Sequence, residues 1–291
     1  LKASSMRTKI PLVTVIIAAT LGRPTSLLGD RVTTPAVTLE NEYFKYSIAA
    51  NGRNFQFVDK KTGTDYCDRQ NDSSFASITV GKQRYPATEV FKENGRIRVK
   101  FALTEVTALI HPKVYNRYIV FEVVSLEGGG VESFTFLDVP LILNGNLMES
   151  FAACALALNL QTKVEDLPGP TGHLKATCYR RFDFTGAKVA LIGCPRPQLR
   201  AMLKEVGAAA EDLPRLDISG PWALDSRDNK ASYILVWEIT EKNVDDWIEV
   251  ARQLGVNQID FHGGSMFRFG DFVVNQDLYP RGRTSLKAVI D

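Results

Sequence analysis

The chain has 291 residues, 45% of them apolar and 23% charged, with 35 basic against 33 acidic side chains. That is room for two domains, or one large domain and part of another, of ordinary globular composition. A net charge of +2, with no basic stripe, zinc-finger spacing or RNA-binding motif, gives no case for nucleic acid.

Residues 1–30 read as a signal peptide and leader. Met6-Arg7-Thr8-Lys9 is a short positive start, and Ile10 to Leu21 is a mostly apolar run. Such a run is too short to span a bilayer and suits a secretory signal, with a buried N-terminal strand as the alternative. A secreted or periplasmic protein without stable membrane insertion is expected, with cleavage between Ala19 and Asp30. The four cysteines, Cys67, Cys154, Cys178 and Cys194, have no C-x-x-C spacing, which argues against a zinc or redox motif. Free buried thiols are expected, although Cys154 and Cys178 lie on strands joined by a Pro/Gly turn and could be neighbours.

Residues 31–212 read as a large antiparallel β-sandwich with a helix at its end. Tyr43 to Ile48 alternates, and Asn51-Gly52 is a hairpin signal. Ile97, Val99, Phe101 and Leu103 alternate with Arg98, Lys100 and Thr104, the period of a half-buried strand. Further strands are predicted at Tyr118 to Val124, Val131 to Leu143, Phe151 to Val164, His173 to Phe182 and Ala187 to Ile192. Across Phe151 to Val164 the alternation of Cys154, Leu156, Leu158 and Leu160 with smaller or polar residues favours strand over helix. Val99, Phe101, Leu156, Leu158 and Leu160 are the predicted core. His111, before Pro112 in a predicted loop, and His173 are assigned structural or surface roles.

Pro195 to Leu213 reads as a helix with Leu199, Met202, Leu203 and Val206 along one face. Residues 213–230 form the predicted linker, with Trp222 expected to pack on the sandwich edge. In residues 231–291, Ala231 to Ile239 reads as a strand and Asn243 to Leu254 as a helix. Val256 to Phe261 is a second strand, stopped by His262-Gly263-Gly264, and a long loop leads to a helix capped by Thr284-Ser285. Two successive βα units imply a parallel sheet, with chemistry at the strands' C-terminal ends.

Leu254-Gly255, Ile259, Gly270-Asp271-Phe272, Asn275, Leu278-Tyr279-Pro280, Gly282 and Ser285-Leu286 stand in an order that resembles the start of the barrel in retaining α-glycosidases. The pattern is most similar to the α-galactosidase and raffinose-synthase-like group. Leu39 to Phe44, Asn51 to Asn54 and Asp59 to Asp65 resemble the opening of the N-terminal sandwich that precedes such barrels. The resemblance implies a β-sandwich followed by the first two βα units of a truncated (β/α)8 TIM barrel. One departure is sharp: those enzymes carry Asp-Asp-Gly-Trp, whose acidic pair contacts sugar hydroxyls, where this chain has His262-Gly263-Gly264-Ser265.

A retaining glycosidase needs two carboxylates flanking the scissile bond. The resemblance places them on later barrel strands, beyond Asp291, so no residue here is assigned as catalytic. This chain is then expected to be an inactive N-terminal portion of a glycoside hydrolase. The substrate-binding candidates are Trp237, His262, Arg268, Asp271 and Asn275, because sugar sites pair aromatic faces with polar side chains. Trp237 has barrel core, and Asp271 a loop-fixing turn, as its structural alternative. No cofactor and no metal are expected; the expected partner is an oligo- or polysaccharide. Two other readings stay open: a non-catalytic carbohydrate-binding surface protein, and another barrel enzyme such as a lyase or isomerase.

Overall fold

The computed structural model describes residues 35–70, 74–143, 145–146, 148–165, 172–213 and 231–291. The expected signal segment, Trp222 and nearly all of the expected linker lie outside the described residues.

Three strands open the fold: β1 (Pro35–Glu40), β2 (Phe44–Ala49) and β3 (Asn54–Asp59), paired antiparallel in that order. The β2–β3 turn passes through Gly52, whose φ is +78°. A Cβ there would stand 2.6 Å from the Ala87 carbonyl oxygen, so only glycine fits. Ten strands follow: β4 (Ser77–Val80), β5 (Gln83–Glu93), β6 (Arg96–Phe101), β7 (Thr107–Val114) and β8 (Tyr118–Glu127) come first. Then come β9 (Val131–Leu141), β10 (Phe151–Ala157), β11 (Thr162–Glu165), β12 (Gly172–Tyr179) and β13 (Lys188–Pro195). They form one sheet in the order β10-β13-β8-β7-β6-β5-β4-β9-β12-β11, antiparallel throughout.

This corrects the expected fold class. Instead of a two-sheet sandwich leading into a TIM barrel, the chain builds one ten-stranded sheet that curls until it nearly closes. The bend has a visible cause. Strand β5 pairs with β4 through Gln83 to Pro86 and with β6 from Ala87 onward, with a bulge between Ala87 and Glu89. A bulge bends a strand and increases its twist, so the sheet turns a corner instead of splitting. At the far side β10 comes up against β11 and β12. Those two edges are joined in sequence by only four residues, Leu158 to Gln161.

The three-stranded sheet packs on this curl through rings. Phe44 stacks on Phe57 at 5.0 Å, Tyr46 meets Phe121 edge-on, and Phe57 meets Phe151 edge-on. Gly193 of β13 makes room for them, since a Cβ there would stand 2.9 Å from Phe57 and 3.1 Å from Phe44 and Phe151. The Tyr46 hydroxyl donates to Asn54 Oδ1, and Asn54 Nδ2 donates to the Asp138 carbonyl at 2.8 Å. On the outer side of β8, β13 and β10 lies α1 (Leu199–Ala209), preceded by a 3-10 turn. Met202 and Val206 are buried there with Leu199 and Leu203 beside them, the face expected from the spacing.

Several expectations hold at residue level. Phe151 to Ala157 is strand, and Val99, Phe101 and Leu158 are buried. Leu156 is partly buried. Leu160 is the exception at 75% exposure, because the strand ends at Ala157 and Leu160 sits in the turn before β11. His111 lies in β7 opposite Glu122, not in a loop. His173 Nδ1 sits 2.9 Å from Asp138 Oδ1, a structural pairing across β12 and β9. All four cysteines are free. Cys178 and Cys154 belong to different hydrophobic clusters, so they are not the neighbours that the Pro/Gly turn suggested.

In the C-terminal segment, β14 (Tyr233–Val236) and β15 (Gln258–Phe261) pair in parallel through α2 (Val244–Leu254). The helix ends where Gly255 turns left-handed at φ +69° and donates back to Ala251 and Arg252. Two further helices follow, α3 (Gly263–Met266) and α4 (Arg283–Ile290). Helix α4 starts after Gly282, earlier than Thr284-Ser285 suggested. Ser285 is buried inside its first turn, where its hydroxyl accepts from the Arg281 N–H at 3.1 Å. The described residues hold four short α-helices and a two-stranded parallel pair, not the repeated βα units of a TIM barrel.

Candidate functional site

The parallel pair ends side by side at Trp237 and His262. Alternation along β14 sends Tyr233, Leu235 and Trp237 to one face and Ile234 and Val236 to the other. Val236 is buried, whereas Trp237 is 67% exposed. Trp237 is therefore not a core residue. Its indole lies against the His262 imidazole, centroids 4.3 Å apart and planes 13° from parallel.

The His262 ring is fixed from two sides. Besides the indole, its Nδ1 accepts a hydrogen bond from the Gly264 N–H at 3.1 Å, capping the short turn α3. An accepting Nδ1 on a neutral imidazole leaves Nε2 as the N–H donor. Gly264 is needed for this arrangement. A Cβ on it would stand 2.8 Å from His262 Cε1 and 3.0 Å from Phe269 Cε2. Phe269, 72% exposed, therefore lies over Gly264 beside the imidazole and extends the aromatic surface. The sequence reading missed Phe269; the available signal was an aromatic residue in a polar loop directly after a double glycine.

Ser265 holds the two strand ends together. It is buried, and its hydroxyl lies 2.7 Å from the Trp237 carbonyl oxygen and 2.7 Å from that of His262. Asn275 supports the same turn. Its Nδ2 donates to the Ser265 carbonyl at 3.2 Å, and its backbone N–H donates to Met266 at 2.8 Å. Its Oδ1 accepts from the Asp277 N–H. All these bonds are to backbone groups of the same loop, so Asn275 shapes it.

Arg268 and Asp271 pair with each other. The Arg268 guanidinium donates to both Asp271 oxygens, and Asp271 Oδ1 also accepts from the Val273 N–H at 3.1 Å. The Arg268 hydrogen bond, followed by that of Val273, holds the Asp271 carboxyl below the usual range. Backbone bonds from Arg268 to Val273 and from Phe272 to Arg268 close the loop, with Gly270 and Phe272 at positive φ. The structure thus sorts the five candidates into three sets: Trp237 with His262, Arg268 with Asp271, and Asn275 with Ser265.

Among the described residues no group of three or more His, Cys, Asp or Glu side chains is placed to hold a metal ion. No helix among them is long and apolar enough to cross a membrane.

No protein-family model matches this chain. No curated protein matches it by sequence either. Solved structures do resemble it. The α-N-acetylgalactosaminidase NagBb from Bifidobacterium bifidum, in complex with GalNAc, aligns with 88% of this chain and 56% of its own at 11% identity, with a TM-score of 0.47. A GH31 family sulfoquinovosidase from E. rectale, in complex with an aza-sugar inhibitor, aligns with 83% of this chain and 44% of its own at 7% identity, with a TM-score of 0.34. The chain spans about half the length of these structures. Both structural neighbours are glycoside hydrolases, at low identity and low TM-score.

Proposed function

We propose that this chain is part of a secreted glycoside hydrolase acting on α-glycosidic bonds with retention, and that it contributes a sugar-contacting surface around Trp237 and His262. The α-glycosidase reading rests on the motif resemblance between Leu254 and Leu286. No residue of the chain is assigned as nucleophile or acid/base. The secretion part rests on the apolar run after Met6.

One observation carries the sugar-contacting part: a 67% exposed indole held flat against an imidazole at the ends of two parallel strands. The C–H face of a sugar ring packs on such a surface, and removing about 100 Å² of apolar area from water contributes about 2.5 kcal/mol. The His262 Nε2–H supplies a directed donor beside it. The Arg268 guanidinium is engaged by Asp271, so this loop's own cation is already matched, which suits a neutral sugar. In this reading Trp237, His262 and Phe269 touch the sugar, while Arg268, Asp271 and Asn275 hold the loop.

The test is a tryptophan-fluorescence titration of the full chain with methyl α-D-galactopyranoside and methyl α-D-glucopyranoside. A saturable blue shift that disappears in Trp237→Ala is expected. An unchanged emission spectrum up to saturating sugar, or a shift that survives in Trp237→Ala, overturns the assignment.

A further inference from the structure

A second polar cleft, of about 230 Å³, lies on the strand region between the β7–β8 hairpin and the C-terminal end of α1. Its wall is a pair of stacked tyrosines, Tyr115 and Tyr118, with centroids 4.6 Å apart and planes 12° from parallel. Its floor is apolar, from Val120, Leu158 and Ala210. Its rim carries two lysines, each facing a carboxylate, and the further carboxylate of Glu211. Lys113 Nζ donates to Glu122 at 3.0 Å, and Lys188 Nζ lies 3.4 Å from Asp212 and 4.0 Å from Glu122.

The telling group is Tyr118. Its side chain is almost fully enclosed, at 5% exposure, and lines the cleft. Its hydroxyl has no hydrogen-bond partner among the described residues. The hydroxyl oxygen itself is not buried, since the buried side-chain polar atom without a partner among the described residues is Asn41 Nδ2. It opens into the cleft and is available to a molecule that enters. Burial, with Tyr115 as a lesser cause, raises the Tyr118 phenol above its ordinary range. At neutral pH it is therefore a neutral hydroxyl able both to donate and to accept.

The walls are held before any ligand arrives. The Tyr115 N–H donates to the Tyr118 carbonyl at 2.9 Å across the hairpin tip. Arg117, between them, pairs with Glu205 of α1, and Asn116 is bonded to Glu42. Preorganised walls reduce the ordering cost of binding.

We infer that this cleft binds a single neutral ring polyol, such as one pyranose unit of a glycan, at a site separate from Trp237. Size supports a small ligand, since drug-sized pockets begin at about 300 Å³. Charge argues against an anion, since both lysines already face carboxylates and Glu211 adds a third carboxylate to the lining. The cleft supplies donors from Lys113, Lys188 and both tyrosines, acceptors from Glu122 and Asp212, and an aromatic face on Tyr115. A compact organic cation is the competing class, because Glu122, Glu211 and Asp212 gather near a helix C-terminus.

The experiment is saturation-transfer NMR on the full chain with methyl α-D-glucopyranoside and methyl α-D-galactopyranoside, repeated in Tyr118→Phe, Tyr115→Ala and Trp237→Ala. Binding should persist in Trp237→Ala. In that background Tyr118→Phe should weaken it roughly three- to tenfold, the loss of one hydrogen bond, and Tyr115→Ala should weaken it further. Thermal melts check that each variant is folded. The inference fails if both tyrosine variants bind like their parent, or if Trp237→Ala alone abolishes all transfer. It also fails if tetramethylammonium displaces the sugar. A failure here leaves the fluorescence response of Trp237 untouched, so the two sites stand or fall separately.

Discussion

Tyr279 reaches back across the C-terminal segment to donate its hydroxyl hydrogen to the carbonyl of Ile239, at 2.7 Å. Both residues are buried, Tyr279 completely. The bond ties the loop before α4 to the exit of β14, two residues after Trp237. The Tyr279 ring packs with Val274 and Leu286, so the bond and its small core form one unit.

Tyr279→Phe should keep that packing and lose the hydrogen bond, leaving the Ile239 carbonyl buried without this partner. A destabilisation of about 1 to 3 kcal/mol is expected, read as a shift in the urea midpoint at constant slope. A wild-type midpoint would show that water replaces the hydroxyl at no penalty.

Gly264→Ala tests the aromatic surface without removing any of its rings. The new methyl would collide with the His262 and Phe269 rings, both of which can swing aside. Sugar affinity should therefore fall at least threefold while the melting temperature moves by no more than a few degrees. Equal affinity in wild type and variant would mean that the stack does not need its observed geometry to bind.

The pH dependence of stability should be steepest on the alkaline side. Burial pushes Cys67, Cys178 and Cys194 up to about 12 and Cys154 up to about 11, from 9.0. Burial also raises Tyr46 well above 10.0. Above pH 9 the unfolded chain releases these protons and the folded chain keeps them. Stability present below pH 9 is then lost as pH rises toward 12. By pH 10.5 each fully shifted thiol accounts for about 2 kcal/mol. Urea melts at pH 8 and pH 10.5 should show the loss, with a smaller drop in Cys178→Ala than in wild type. Parallel behaviour of the two proteins would rule out a contribution from that thiol.

Leu158 and Leu160 differ by two positions and should differ sharply in consequence. Leu158 is buried, so Leu158→Ala should cost about 2 to 3 kcal/mol. Leu160→Ala, in the exposed turn, should change stability by less than about 0.5 kcal/mol. Chemical denaturation of both variants decides it, and similar losses would place Leu160 in the core after all.

That pair also shows where the sequence is legible. Alternation identified the strand at Phe151 and the inward set along β6, because a half-buried strand must repeat every two residues. It carried one residue pair too far at Leu160, since nothing in an apolar pattern marks a strand's last ladder bond. Strand β5 was not predicted, and β7 was hidden by Pro112, whose neighbourhood read as a loop. Pro112 is tolerated because β7 has by then run past Ile110, its last residue paired with β6. The α2 helix was readable from its apolar spacing of three, four and seven, and the parallel pairing from two successive βα units.

The site was legible in part. Trp237 and His262 were found because the C-terminal ends of parallel strands are positions where side chains emerge. That the two rings stack, and that Phe269 joins them, depends on how the turn at Gly263 folds. The mutual capture of Arg268 and Asp271 depends on the positive φ at Phe272, which no residue type announces. The global architecture was misread because two sandwich sheets and one curled sheet share the same alternation. What joins the two halves is β5, which passes from β4 to β6 at the bulge after Ala87, and no alternation pattern marks that.

The curl has a consequence for the behaviour of the chain in solution. Strands β10 and β11 stand at opposite ends of the sheet order, yet four residues connect them. So short a tether obliges the two margins to meet, and each shields the other's unpaired backbone groups from foreign strands. The link is pinned down. Leu158 N–H donates to the Lys188 carbonyl, and Asn159 bridges the Gly186 carbonyl and the Thr162 hydroxyl. Cleaving the chain between Leu158 and Gln161 would release both margins at once and turn a self-guarding sheet into a template for aggregation.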